Sequence, residues 1–125
     1  MTIAEALAGI DALKPNQFTE AQKLGWLNEL DGMVRIELVQ THEQPAGQPD
    51  WEPYDSDTPQ TTELLVPFPY DQIYLYWLAA KIDYFNLEYD KYANDSQLYN
   101  NAYQTYSDYY TRTHMPKAAV REFEL

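Results

Sequence analysis

A chain of 125 residues with no cysteine and a formal net charge of −12 amounts to one domain. The missing cysteines exclude disulfides and thiolate metal sites, and the negative balance repels nucleic acid and anionic membranes over most of the surface. No run approaches the ~18 apolar residues of a membrane span, and Met1 to Ala6 lacks the basic and apolar regions of a signal peptide, so a soluble, cytosolically made protein is expected.

The first predicted element is a short amphipathic helix over 3–13, with Ile3, Leu7, Ile10 and Leu13 at helical spacing and Thr2 as its cap. Lys14-Pro15-Asn16 ends it, because the residue before a proline is pushed out of helical dihedrals. A second helix starts after Phe18. Thr19 and Gln22 form a capping-box pattern, and Glu20 suits the first turn. Leu24, Leu27, Leu30, Val34 and Leu38 make its stripe, which Trp26, Met33 and Ile36 widen, and it ends near Thr41–His42. Gly25 and Gly32 are either a close-approach face or exposed positions.

Residues 43–68 form a long connection with five prolines, six acids and no base. Loops of this length are uncommon in compact domains unless they are functional or mobile. Trp51, Tyr54 and Leu64-Leu65-Val66 argue for anchoring, with an extended piece at 62–66. Pro67-Phe68-Pro69 then opens a third helix running to about Tyr92, in which Ile73, Trp77, Ala80, Tyr84 and Leu87 make one stripe and Tyr74, Leu78, Phe85 and Tyr92 another. Asn94 and Gln97 read as the cap of a fourth helix, which ends before Pro116. The short joint makes helices three and four an antiparallel hairpin. The expected fold is all-α. It is a bundle of about four helices in a single domain over 1–116, with an acidic Pro-rich loop between helices two and three. The tail 117–125 is flexible or docked on a partner.

Eleven of the twelve tyrosines fall between Tyr70 and Tyr110. A tyrosine pairs an apolar ring with a hydroxyl that needs a partner or water, so the stretch suits a half-wet interface. Tyr74, Tyr84, Tyr103 and Tyr106 are assigned to the hairpin core. Tyr76, Tyr89, Tyr99, Tyr109 and Tyr110 cover more circumference than one intramolecular face buries. With Arg112, Val120 and Phe123 they are the candidate partner-binding residues. Stacking on single-stranded nucleic acid also uses aromatics but needs a basic groove, which this chain lacks.

Little catalytic chemistry is visible. His42 and His114 have no ligand-spaced neighbours. The acidic loop fails the calcium-loop pattern whether counted from Asp50 or from Asp55. Asp83 is the acid expected to be partly buried, paired with Arg112 or Lys81. No nucleophilic triad, phosphate loop or nucleotide motif occurs. The expectation is a non-enzyme without cofactor or metal.

Three segments carry a family resemblance: Thr2 to Ala6 through Asp11 to Asn16, Glu63 to Asp71, and Tyr110 to Lys117. In these the chain resembles short phage and prophage head–tail connector (adaptor, head-completion) proteins. The resemblance implies a helical virion subunit, assembled in the host bacterial cytoplasm, that forms a ring beneath the portal. Such a ring extends the DNA channel and receives the next neck or tail-completion protein. The implied partners are further copies of itself, the portal and that neck protein, with DNA only as passing cargo and no membrane. The rival expectation is an acidic mimic of nucleic acid that blocks a host DNA-binding enzyme. It ranks second because half of the acids in residues 1–68 lie in the loop rather than in rows on helices.

Overall fold

The structure is a computed structural model that describes residues 1–117. It is all-helical, with four α-helices: α1 (Ile3–Leu13), α2 (Glu20–Val34), α3 (Ile73–Phe85) and α4 (Tyr89–Thr113). Among the described residues there is no strand, only two isolated bridges, Thr2 with Glu63 and His42 with Pro116. No helix among them is long and apolar enough to cross a membrane.

The predicted cap at Thr2 and the predicted capping box at Thr19 are both formed, and Thr2 with Glu5 makes a capping box as well. Thr2 accepts from the Glu5 amide while the Glu5 carboxylate takes the Thr2 amide, and Thr19 and Gln22 repeat the arrangement at α2. Each satisfies two amides that the first helical turn leaves without partners. α2 continues directly into a π-helical turn, Arg35–Val39. A Cβ on Gly25 or Gly32 would meet nothing within 4 Å, so no helix of this chain closes on them; the close approach is at Gly9, where a Cβ would lie 3.1 Å from Leu75 of α3.

The core is built from Ile3, Ile10, Leu27, Leu30, Val34, Ile73, Leu78 and Ile82, all at most 1% exposed. Of the stripes expected on the first two helices, Leu13 (68% exposed) and Ile36 (59%) fall outside it. α3 and α4 pack along each other in opposite directions. Tyr70 stacks on Tyr109, Trp77 meets Tyr99, and Tyr84 meets Tyr92.

The connection from α2 to α3 is held by a buried carboxylate. Asp31, fully buried on α2, accepts from the hydroxyls of Tyr54 (2.5 Å) and Tyr74 (2.6 Å) and from the Leu65 amide (3.2 Å). The Tyr74 hydroxyl in turn accepts from the Val66 amide at 2.7 Å. Asn28 grips the Tyr54 backbone through both its amide and its carbonyl. Residues near 62–66 reach the start of α1 instead of pairing as a strand: Ile3 donates to the Thr62 carbonyl and Leu64 to that of Met1. Burial pushes the Asp31 carboxyl upward, and the three donors pull against it.

The third helix ends earlier than its periodicity predicts, at Phe85 instead of about Tyr92, and the predicted cap at Asn94–Gln97 lies inside α4. The reason is local. Leu87 takes the left-handed conformation (φ 59°), its amide donates to the Tyr84 carbonyl, and the Glu88 amide donates to that of Asp83. This is the doubly bonded Schellman ending, usually built with glycine.

Candidate interaction surface

The corner between α3 and α4 is assembled on a buried ionic joint. Asp83, fully buried near the end of α3, receives Lys14 Nζ at 2.5 Å, and the same ammonium reaches Asp95 of α4 at 3.1 Å. One cation therefore ties the exit of α1 to both helices of the corner. The predicted partners Lys81 and Arg112 are not used: Lys81 instead pairs with Glu29 at 2.8 Å and lies 4.8 Å from the Trp77 ring centroid. Burial pushes the Asp83 carboxyl up to about 6; hydrogen bonding with Asp95 adds to the rise and Lys14 opposes it. The second carboxylate oxygen of Asp83 is buried without a partner. Gln17 bonds Asn86 at 2.9 Å and closes the joint on the chain leaving α1.

Around this joint runs a belt of aromatic rings. Phe18 meets Trp26 edge-on at 5.1 Å, Trp26 stacks on Phe85 at 5.6 Å, Phe85 meets Tyr84 at 5.2 Å, and Tyr84 meets Tyr92 at 5.6 Å. Trp26 is buried and Phe18 half-buried, whereas Phe85 and Tyr84 are each 52% exposed, Tyr89 63% and Leu87 68%. Leu13, at the end of α1, exposes a further apolar side chain near this corner. The hydroxyls of Tyr84, Tyr89 and Tyr92 bond to no described residue, although the rings of Tyr84 and Tyr92 pack on each other. Behind Tyr84 and Tyr92 a cleft of about 440 Å³ opens between α3 and α4, with Trp77 and Tyr99 in its wall. A connected apolar and aromatic patch rimmed by polar side chains has the composition of a protein–protein contact.

The candidate residues do not form one surface. Tyr89 belongs to the corner. Tyr76 and Tyr99 are half-buried, and Tyr99 is tilted against Trp77 at 4.9 Å. Tyr109 is half-buried, stacked on Tyr70 at 4.8 Å. Tyr110 is 5% exposed and belongs to the core; its hydroxyl accepts from Gln44 and its ring lies flat on His114 at 3.8 Å. Arg112 is exposed on α4, and Val120 and Phe123 lie outside the described residues. Of the four tyrosines assigned to the hairpin core, Tyr74 and Tyr106 are buried, Tyr103 is half-buried with its hydroxyl on Glu37, and Tyr84 is exposed. Among the described residues no three histidines or acids converge as a metal site.

Sequence reasoning placed Tyr84, Phe85 and Leu87 on stripes facing the bundle. The overlooked signal is the order Phe85-Asn86-Leu87-Glu88, where asparagine as the last residue of a helical turn marks an exit. No protein-family model matches the chain, and no curated protein or solved structure shows significant similarity to it.

Proposed function

We propose that the chain is a non-enzymatic structural subunit of a phage or prophage virion, a head–tail connector that assembles with copies of itself and docks beneath the portal. The observation that carries the assembly is the exposed aromatic corner. A single copy leaves Tyr84, Phe85, Leu87 and Tyr89 more than half in water, while the Tyr84 ring already packs on Phe85 and Tyr92. Covering such side chains returns roughly 25 cal/mol per Å² of apolar area, and pre-packed rings lose little rotamer freedom in the process. The likeness of the three sequence segments to connector proteins supplies the identity of the partners. An acidic wall suits a channel that DNA slides through without being gripped.

In this reading the α3–α4 hairpin makes the contact between subunits, and the acidic loop 43–68 faces the channel or a neighbour. The mimic of nucleic acid has less support, because six acids sit on that loop and not in rows along rigid helices. Light scattering on the chain alone and mixed with the portal protein of the phage or prophage that carries it tests the proposal. Tyr89→Ser with Phe85→Ser is expected to abolish any higher-order species. A chain that stays monomeric and also ignores the portal overturns the proposal, as would a gene neighbourhood without portal or capsid genes.

A further inference from the structure

The basic side chains of this acidic chain are not spread evenly. Lys14, Lys23, Lys81 and Lys91 each pair with an acid. The other bases among the described residues, Arg35, Arg112 and Lys117, pair with no described acid, and they gather at the C-terminal end of α4. Arg35 and Lys117 line one cavity of about 520 Å³, within the range of ligand pockets, between the π-helical turn, the start of the acidic loop and the last turns of α4. Arg112 follows Tyr109 by three residues and so shares its side of the helix. Trp51, Tyr106 and Tyr109 give the cavity aromatic walls, and Asp50 is the one acid among the described residues that line it. Arg35 is half-buried, and its guanidinium makes no hydrogen bond to a described residue. Tyr106 is 4% exposed, and its hydroxyl likewise bonds to no described residue.

We propose that this cavity receives the α3–α4 corner of a second copy, so that copies join head to tail. The inference rests on the self-assembly proposed above and names the two surfaces that meet. Charge is the first argument. A chain of net charge −12 repels its own copies, so their contact belongs where bases outnumber acids. The cavity is such a place, and the corner is its counterpart. Glu88 and Asp90 flank Tyr89 there, all three exposed, and Asp90 pairs with no described base. Lys91 reaches Glu88 at 3.2 Å and leaves two acids against one base at the tip. Two corners face to face would therefore set like charges together. Shape is the second argument. Leu87, 68% exposed, stands on the joint between two helices and makes a convex tip with Tyr89, and the aromatic walls of the cavity suit both side chains. Reach is the third. Tyr89 and Tyr109 lie about 30 Å apart along α4, at roughly 1.5 Å per residue, so a corner does not enter its own cavity. Because the two surfaces are unlike, every copy in the contact offers one further corner or cavity to the next.

The test is sedimentation velocity of the full chain over a range of concentrations. The wild-type chain is expected to give species larger than a monomer as concentration rises. Arg35→Glu breaks the cavity. Leu87→Asn with Asp90→Asn breaks the corner and keeps a residue that accepts left-handed dihedrals. Each variant is expected to weaken association at least about tenfold. Lys117→Glu, outside every helix, repeats the cavity test without touching the π-helical turn, and circular dichroism checks that each variant keeps its helices. Mixing the cavity variant with the corner variant decides the geometry. Each retains the surface that the other lacks, so the mixture gives a 1:1 dimer and nothing larger. A wild-type chain that stays monomeric, folded variants that assemble as the wild type does, or a mixture without the dimer each overturns the proposal. A monomeric chain that still binds the portal overturns this contact and leaves the connector reading. Head-to-tail assembly in a chain whose gene neighbourhood lacks portal and capsid genes does the reverse.

Discussion

Two aromatic regions of this molecule spend their tyrosines in opposite ways. Around Asp31 the hydroxyls of Tyr54 and Tyr74 are buried and committed to one carboxylate, and the rings seal the α2–α3 connection to the core. At the α3–α4 corner the hydroxyls of Tyr84, Tyr89 and Tyr92 bond to no described residue, and the Tyr84 ring packs on Phe85 and Tyr92 at the surface instead of under a cover. The first use makes a fold. The second leaves apolar area available, at a place where the backbone also carries a strained leucine. The difference lies in placement: Asp31 faces two phenols and accepts from both, whereas the corner's buried acid, Asp83, is paired with Lys14 and accepts from none of the corner's phenols.

The contrast is sharpest at Asp31. Asp31→Ala strands two buried hydroxyls and the Leu65 amide, and should cost on the order of 3–5 kcal/mol in urea unfolding. Tyr74→Phe and Tyr54→Phe each remove one donor to a carboxylate and should cost about 1.5–3 kcal/mol, Tyr74 the more because it also strands the Val66 amide. If these losses matched those of Tyr89→Phe, whose hydroxyl bonds to no described residue, the two regions would not differ as described.

A smaller effect of opposite sign belongs to the corner. Leu87→Gly relieves a left-handed leucine and removes an exposed side chain, so it should raise stability by about 1 kcal/mol while weakening assembly. Stability and association moving in opposite directions separate recognition from folding at that residue. A destabilised variant would mean that the leucine side chain holds the corner together.

A further expected effect is in pH. Burial pushes the folded Asp83 carboxyl up to about 6 from its ordinary 3.8. A raised carboxyl contributes stability that is complete below the unfolded value and is lost as pH rises through the folded one. Stability should therefore fall between about pH 4 and about pH 6 and beyond on this account. Asp83→Asn should flatten that part of the profile, measured as the urea midpoint against pH. The burial-raised Asp31 contributes in the same direction and remains in the variant.

Much of the helical plan was legible in the sequence. The capping boxes at Thr2 and Thr19 are local hydrogen-bond patterns between residues three apart, and Pro15 and the Pro67–Pro69 cluster interrupt the backbone wherever they occur. The aromatic corner was legible only as composition. Its tyrosines were counted, but the exposed members were assigned by periodicity, which continues through Asn86 and Leu87 as though the helix did.

What the sequence determined by itself was the set of properties that depend on near neighbours: four helices, their caps, a long acidic connection and an excess of phenol rings. The tertiary structure alone decided which phenols meet a buried carboxylate and which meet water, that Lys14 and not Lys81 reaches Asp83, and that Arg35 and Lys117 share one cavity. These pairings join residues tens of positions apart, and their energies depend on burial and on the dielectric around them, which no local pattern of residues encodes.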